Sequence, residues 1–256
     1  MNRPHSALGE EGVSRSPEQG EQNGTHRWWF LLFLGMALCL ALWAGRWGMA
    51  GLYTYPARLI LDNWEQTKQP ATATHPAIEE RWQMALASLA KAQALEPDNA
   101  EIPFLIGRLH HHHALLQSPW STQAKFHWQQ TILAYQQALQ LRPVWGYGWI
   151  LLAQARVQAG GSSTEALADW MRAMQLAPRS RDVQLTAIRT GFALWSLLDD
   201  AQRKRIHILM EETMPQDGDT ILQQAAKYNL LPLARPLLEK NPQWQKRFDS
   251  LSQTLR

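Results

Sequence analysis

Four consecutive histidines, His110 to His113, are the side chains of this sequence best suited to chemistry. Imidazole binds zinc and exchanges a proton near neutral pH. Successive residues of a helix point about 100° apart, so four adjacent histidines cannot converge on one ion. His110 and His113 share a face, but the sequence has no HExxH motif and no carboxylate one turn away. We therefore predict no metal site and interpret the run as a polar helix end.

No other pattern in the sequence is typical of a catalytic or cofactor site. A G-x-S-x-G elbow, a Walker loop and a G-x-G-x-x-G motif are all absent. The run Gly160–Ser163 has the composition of a phosphate loop, but we interpret it as a turn, with Ser163 or Thr164 capping the next helix. We predict no catalytic residue, no cofactor and no enzymatic activity. A histidine-dependent envelope enzyme is the alternative.

The composition excludes further classes of protein. The 256 residues include 25 basic and 22 acidic side chains, a net charge of +3 that is too small for a nucleic-acid-binding protein. The single cysteine, Cys39, excludes an internal disulfide framework. With 45% apolar residues, the chain can bury a core. A folded protein that binds no nucleic acid is the expectation.

A transmembrane helix is predicted near the N-terminus, after a flexible polar tail over residues 1–27. The 18 residues Trp28–Gly45 carry no charge. As a helix they cover about 27 Å, close to the hydrocarbon core of about 30 Å. Arg46 can extend its charge to the interface, so the predicted span is residues 28–52. The tryptophans at its two ends match the aromatic belts of a bilayer: Trp28, Trp29, Trp43 and Trp47.

The orientation of this helix is nearly balanced by its flanking charges. The basic residues are Arg3, Arg15 and Arg27 before it and Arg46, Arg58 and Lys68 after it. We favour an N-terminus inside, because a single N-terminal anchor commonly delivers the following domain across the membrane. The expected location is the inner membrane, single-pass, with residues 53–256 in the periplasm. A cleaved signal peptide fits less well, because the polar segment is long and has four Glu.

The rest of the chain has helical spacing and an internal repeat. We predict a connecting helix and linker over residues 53–77. After it, one set of five positions, spaced 4, 3, 3 and 2 residues apart, occurs three times. Each set is one stripe of a helix that ends at a proline, so the sequence predicts an all-α fold of paired helices. The sets are Ala85, Leu89, Ala92, Leu95 and Pro97; Thr131, Tyr135, Ala138, Leu141 and Pro143; and Ala166, Trp170, Ala173, Leu176 and Pro178.

The repeated stripe resembles the second helix of the tetratricopeptide repeat, and Trp149, Leu152 and Ala153 are similar to its first helix. Pro178 follows Pro143 by 35 residues, close to the period of 34 in that family. The resemblance implies a tetratricopeptide-type solenoid after the single transmembrane helix. Repeats are expected over residues 78–180, with an insertion at Leu116–Lys125, and further repeats or a cap over 181–256. Two of the later predicted helices are Asp200–Glu212, capped by Asp199 or Asp200, and Asp219–Tyr228.

Two strings resemble a narrower family. Arg142–Gly160 and Leu176–Ile206 are similar to the VpsP family of bacterial polysaccharide-biosynthesis proteins, which are small membrane-anchored repeat proteins found with exopolysaccharide genes. The most specific parts are Arg142-Pro143 before Trp145-Gly146-Tyr147-Gly148-Trp149, and Gly191 before Trp195. The resemblance implies a role in exopolysaccharide biosynthesis or export and no defined reaction. A generic envelope assembly factor, unrelated to polysaccharide, is a further alternative.

A partner-binding groove is expected on the concave side of such a stack, where the first helix of each pair turns its unpacked face. Mixed polar and aromatic side chains suit a segment of a protein partner. We therefore expect a membrane-anchored adaptor that binds one or more protein partners, with a merely solvated face as the alternative. The predicted groove residues are Glu101, Arg108, His112, Tyr147, Gln154 and Gln158.

Overall fold

The computed structural model describes residues 22–67, 76–119, 121–160 and 163–254. All regular structure in these residues is helical, which confirms the predicted all-α class. The predicted tail up to residue 21 and most of the predicted linker, residues 68–75, lie outside the described residues. The α-helices are α1 (Gln22–Thr67), α2 (Pro76–Leu95), α3 (Glu101–Leu116), α4 (Thr122–Leu141), α5 (Gly146–Gly160), α6 (Thr164–Leu176), α7 (Arg181–Ala193), α8 (Asp200–Lys227), α9 (Arg235–Leu238) and α10 (Gln245–Thr254).

The chain divides into two units, residues 1–48 and 49–256. In the first unit, α1 begins at Gln22, inside the segment predicted to be a polar tail. The stretch Trp28–Trp64 of this helix is long and apolar enough to cross a membrane. The side chains of residues 28–48 are exposed: Trp28 is 72% exposed and Leu32 63%. A helix with this surface has the length and lipid-facing character that a bilayer requires.

In the second unit, the later part of α1 is a packing helix. The predicted connecting helix continues from the apolar run without a break, through Pro56, to Thr67. Ala57 and Leu61 are fully buried against α2 and α3. The Ser88 hydroxyl of α2 donates a hydrogen bond to the Tyr53 carbonyl over 2.7 Å. The stripe recognised on α2 therefore has its partner helix in α1.

The core of the second unit consists of three clusters that follow one another along the chain. The first joins α1, α2 and α3, the second joins α3, α4 and α5, and the third extends from α5 to α10. Neighbouring clusters share a helix, so each helix pair is buried by the next. The first three positions of every repeated set are buried, as the spacing predicts: Ala85, Leu89 and Ala92; Thr131, Tyr135 and Ala138; Ala166, Trp170 and Ala173.

Two glycines allow close helix approach. A Cβ at Gly107 of α3 would lie 2.5 Å from the ring of Tyr135 on α4, and a Cβ at Gly191 of α7 would collide with Ile206 on α8. Real Cβ atoms keep larger separations, so a larger side chain would push the helices apart. Both positions lie in the segments that carry the family resemblances.

Two predicted boundaries can be compared with the structure. The predicted insertion, Leu116–Lys125, includes the last residue of α3 and the first turn of α4, because α3 ends at Leu116 and α4 begins at Thr122. The two predicted helices after Asp199 both lie within α8, on either side of a kink at Asp217, two residues beyond Pro215. Proline lacks the amide hydrogen that the helix needs, which accounts for the bend. Asp199 caps α8, accepting a 2.7 Å hydrogen bond from the Gln202 amide.

Candidate functional site

The four histidines of α3 divide between two sites in the second unit. His110 and His113 turn towards α2 and α4, where they meet Trp82 and His127. His111 and His112 line a groove that α5, α7 and α8 complete. We name the first site the histidine cluster (Glu79, Trp82, His110, His113 and His127) and the second the groove.

The histidine cluster is a closed set of contacts between three helices. The Nδ1 atoms of His110 and His127 are 3.0 Å apart, within hydrogen-bonding distance. His113 Nε2 lies 2.9 Å from Glu79 Oε2. The Trp82 ring packs against all three imidazoles, with its centroid 4.4 Å from that of His113, and its Nε1 donates to the Leu109 carbonyl. Each ring of the cluster therefore has a polar or aromatic partner inside the protein.

Burial keeps two of these histidines neutral. Burial, together with the charges of neighbouring histidines, lowers the pKa of His110 and of His127 to about 4, although the Glu79 carboxylate opposes the shift at His127. At neutral pH the N–H of one imidazole of this pair donates a hydrogen bond to the unprotonated nitrogen of the other. Burial raises the pKa of Glu79, but hydrogen bonds to His113 and Gln83 outweigh it, so the pKa is lowered overall. At neutral pH the Glu79 carboxylate is therefore charged, while His110 and His127 are neutral.

The cluster does not have the geometry of a metal centre. In the part of the chain that the structure describes, no group of three or more His, Cys, Asp or Glu side chains is placed to hold an ion. The imidazole nitrogens point at one another and at Glu79, and the rings pack on Trp82. The sequence interpretation missed Glu79 and His127, which lie 34 and 17 residues from their partners on other helices. No motif spacing could have indicated those contacts.

The groove is lined mainly by α3, α5, α7 and α8 and has a volume of about 470 Å³. On α5 its residues follow a helical stripe at positions 147, 151, 154 and 158. Two polar positions of α7 that lie one helical turn apart, Thr186 and Arg189, and two of α8, Gln224 and Lys227, complete its wall. Five of the six predicted groove residues line this one site: Arg108, His112, Tyr147, Gln154 and Gln158.

The sixth predicted residue, Glu101, lies elsewhere, and its assignment to the groove is corrected. Glu101 is in the first turn of α3, and its Oε1 lies 3.5 Å from Nη2 of Arg58 on α1. The expectation placed Glu101 on the unpacked face of α3, together with Arg108 and His112. The packing of α1 against α3, which the sequence interpretation did not include, takes up this end of the helix.

The groove has a cationic lining. Its charged residues are Arg108, Arg189 and Lys227, and none of the described residues that line it is acidic. The Arg189 side chain is partly buried, and this burial lowers its pKa. Burial, together with the positive charges of His112, Arg189 and Arg108, lowers the pKa of His111 to about 3. An anion entering the groove would meet favourable potential from several sides.

Three buried polar atoms along the groove have no hydrogen-bond partner among the described residues. They are His111 Nδ1, Arg189 Nε and Gln224 Oε1. Buried polar atoms in folded proteins are nearly always hydrogen-bonded, and an exception calls for water, an ion or a ligand. The sequence interpretation missed Arg189 and Gln224 because it did not extend the groove face beyond α5, and on α3 it assigned His112 to the groove but not its neighbour His111. The helical spacing from Thr186 to Arg189 was the available signal.

A larger groove of about 900 Å³ lies between α1 and α2 in the second unit. Its lining is mainly aliphatic, with Leu59 and Met84 more than half exposed. Arg81, Lys91 and Asp62 also line it, so both signs of charge are present. This surface offers apolar packing and lacks the buried, unsatisfied polar atoms of the cationic groove.

Comparisons with known proteins give no further guide to function. No protein-family model matches the chain, and no curated protein matches it with significant similarity.

Proposed function

We propose that this chain is a membrane-anchored, non-enzymatic adaptor whose groove binds a segment of a protein partner. The observation that carries the proposal is the groove itself. Four helices bring cations, amides and aromatic side chains to one concave surface, with three buried polar atoms left without partners. Concave sites with few, convergent polar groups are the usual form of a binding site. A structural face would satisfy these atoms internally.

The anchor supports the same proposal. The apolar helix would hold the groove close to the bilayer. We place the groove in the periplasm, because a single N-terminal anchor commonly delivers the following domain across the inner membrane. Tethering raises the effective concentration of a partner in the same membrane without any additional contact. A groove of modest affinity is then sufficient for assembly.

The resemblance to the tetratricopeptide repeat and to the VpsP family supplies the cellular role. Proteins of this kind occur with exopolysaccharide genes, so we propose that the partner belongs to a bacterial exopolysaccharide biosynthesis or export system. The burial of the three repeated sets supports the repeat assignment. A generic envelope assembly factor would have the same groove and a different partner.

The alternative of a histidine-dependent enzyme has less support. The histidines with the shared face, His110 and His113, are buried and engaged with Trp82, His127 and Glu79. A catalytic base must reach the proton that it abstracts. The contacts of these rings suit helix packing, and we propose that this is their role.

Photo-crosslinking in the native membrane tests the adaptor proposal. A photoreactive residue at Gln158, in the groove, is compared with one at Gln175, an exposed position on α6. We expect Gln158 to crosslink to an envelope protein encoded with exopolysaccharide genes, and Gln175 not to do so. Identical products from the two sites, or none from Gln158, would contradict a partner-binding groove.

The proposed orientation has a separate test. Alkaline phosphatase fused after Arg256 is active only in the periplasm, so we expect an active fusion. An inactive phosphatase together with a fluorescent green fluorescent protein fusion at the same position would place the groove in the cytoplasm and refute the proposed orientation.

A further inference from the structure

The unsatisfied atoms of the groove define the chemistry of its ligand more narrowly than the adaptor proposal does. We infer that the groove binds an acidic peptide segment whose carboxylate contacts Arg189, beside Lys227. The inference rests on the proposed function, since it concerns the same groove, and it adds the class of partner segment. We call His111, Arg189 and Gln224 the groove floor.

The charge of the groove floor is the first argument. Arg189 is a partly buried cation, and none of the described residues forms an ion pair with it. Buried charges in proteins are normally paired, because removal from water is costly. Lys227, one helix away, and Arg108 add positive charge to the same lining. The natural counter-ion is absent from the lining of the groove and must come from a ligand.

The geometry of Arg189 is the second argument. Its buried Nε–H has no acceptor among the described residues. Nε–H and a terminal N–H of a guanidinium form a planar fork that matches the two oxygens of a carboxylate. A carboxylate approaching this edge would satisfy the orphan donor and neutralise the cation together.

The third argument is that the floor also presents an acceptor. The amide oxygen of Gln224 is buried and has no donor within the described chain. His111, which is only 8% exposed, adds a nitrogen without a partner. A simple anion would leave the Gln224 oxygen unsatisfied. A peptide supplies both an acidic side chain and backbone N–H groups, so it can satisfy donors and acceptors of one floor.

A sugar acid offers a carboxylate and hydroxyl donors as well, but the walls favour a peptide. Leu115 and Leu151 line the groove alongside the cations, and Leu115 is more than half exposed. Aliphatic side chains suit the apolar residues that flank an acidic position in a peptide, whereas the uncharged parts of a sugar acid are mainly hydroxyl groups. The inference therefore commits to a protein segment.

The test selects peptides with the full chain held in lipid nanodiscs. A random peptide display library is enriched on the wild-type chain, and the affinities of the selected peptides are measured by fluorescence anisotropy. We expect the selected peptides to share an acidic position. Changing that residue from Glu to Gln should weaken binding about 10- to 100-fold, the range for a charge-assisted hydrogen bond.

A double-mutant cycle then assigns the contact to Arg189. On the Arg189→Gln chain, the Glu-to-Gln change in the peptide should weaken binding by less than about threefold, because the partner is already gone. Lys227→Gln, at an exposed position, should lower the affinity for the acidic peptide without affecting folding. Arg172→Gln, an exposed arginine on α6 outside the groove, is the matched control and should bind as the wild type does.

Several outcomes would overturn the inference. Selected peptides without an acidic position, additive effects in the cycle, or unchanged affinity in Lys227→Gln would each contradict a carboxylate contact. If no peptide is selected, the acidic-peptide inference fails, and Arg189-dependent binding of an oligouronate would identify a sugar acid instead.

Failure of this inference is distinguishable from failure of the adaptor proposal. Neutral peptides that block crosslinking at Gln158 would leave the adaptor in place and remove only the carboxylate. Absence of any partner at Gln158 in the membrane would refute the adaptor proposal whatever the peptide results are.

Discussion

The histidine cluster and the groove lie on different sides of the same helix, α3, and use polar residues in opposite ways. In the cluster, His110 meets His127 and His113 meets Glu79, so the imidazoles satisfy one another inside the protein. In the groove, atoms of His111, Arg189 and Gln224 remain unsatisfied although they are buried. The comparison teaches that residue type alone does not identify a functional site. The state of its hydrogen bonds separates a packing site from a binding site.

The two regions should therefore respond oppositely to mutation. Removing a member of a satisfied cluster leaves a cavity or an orphaned partner, which destabilises the fold. Removing a member of an unsatisfied site relieves a cost that the folded state already bears. Stability measurements on variants of the two sites test this difference. The variants are described in order of decreasing expected effect.

Trp82→Ala should cause the largest loss. The Trp82 ring is 8% exposed, contacts three imidazoles and donates to the Leu109 carbonyl, so its removal opens a cavity between α2, α3 and α4. We expect the free energy of unfolding to fall by about 3–5 kcal/mol. Urea unfolding of the full chain in detergent micelles, followed by circular dichroism, measures it. Phe126→Ala, at a ring that is 51% exposed, is the control and should cost less than about 1 kcal/mol. Equal losses would mean that Trp82 is not a packing centre.

Acid should weaken the cluster by the next largest amount. His110 and His127 have a pKa of about 4 in the folded chain, against 6.5 for an ordinary histidine, so the unfolded chain binds more protons between these values. The stabilisation is complete above pH 6.5 and is lost as the pH falls towards 4. We expect a loss of about 3 kcal/mol for the pair, after allowance for solvent screening. Urea midpoints across this pH range measure it.

The variant His127→Gln is the control for the acid effect. It removes one titrating ring and leaves a neutral side chain that can still hydrogen-bond with His110. Its pH profile should be flatter than that of the wild type. Parallel profiles for the two chains would assign the acid sensitivity to other groups, such as Glu79 or His111.

The sequence predicted the helices and the buried stripes because both depend on local spacing. A helix with large residues between small ones, ended by proline, carries its own pattern, and so the repeated sets reappear as buried faces. The two helices predicted after Asp199, Asp200–Glu212 and Asp219–Tyr228, lie on either side of the kink in α8 at Asp217.

The sites were predictable only where they follow a helix face. Arg108, Tyr147 and Gln154 could be assigned to one groove because each lies on the unpacked side of its own helix. His127 and Glu79 could not be assigned to the histidine cluster, since their contacts join different helices through side-chain packing. The same limit explains Glu101, whose environment is decided by Arg58 of α1.

Two adjacent histidines of α3, His112 in the groove and His113 in the histidine cluster, should differ in their contribution to stability. His113→Ala removes a buried ring bonded to Glu79 and packed on Trp82, and we expect a loss of about 2 kcal/mol. His112→Ala changes a half-buried groove residue whose ring lies 5.4 Å from that of Trp64, and we expect a loss of about 0.5 kcal/mol. The same urea experiment compares them. A larger loss of stability in His112→Ala than in His113→Ala would contradict the assignment of His113 to a packing site and of His112 to a binding site.

Arg189→Met should have a smaller effect than His113→Ala and should change stability in the opposite direction. Methionine keeps the apolar stem of the side chain and removes a partly buried charge that none of the described residues pairs. We expect the free energy of unfolding to rise by about 1 kcal/mol, while Arg172→Met on the exposed face of α6 should change it by less than about 0.5 kcal/mol. An increase in stability would mean that Arg189 does not contribute to folding, as expected of a residue that binds a ligand. Destabilisation by Arg189→Met would instead make Arg189 a structural residue and return the groove to the same class as the histidine cluster.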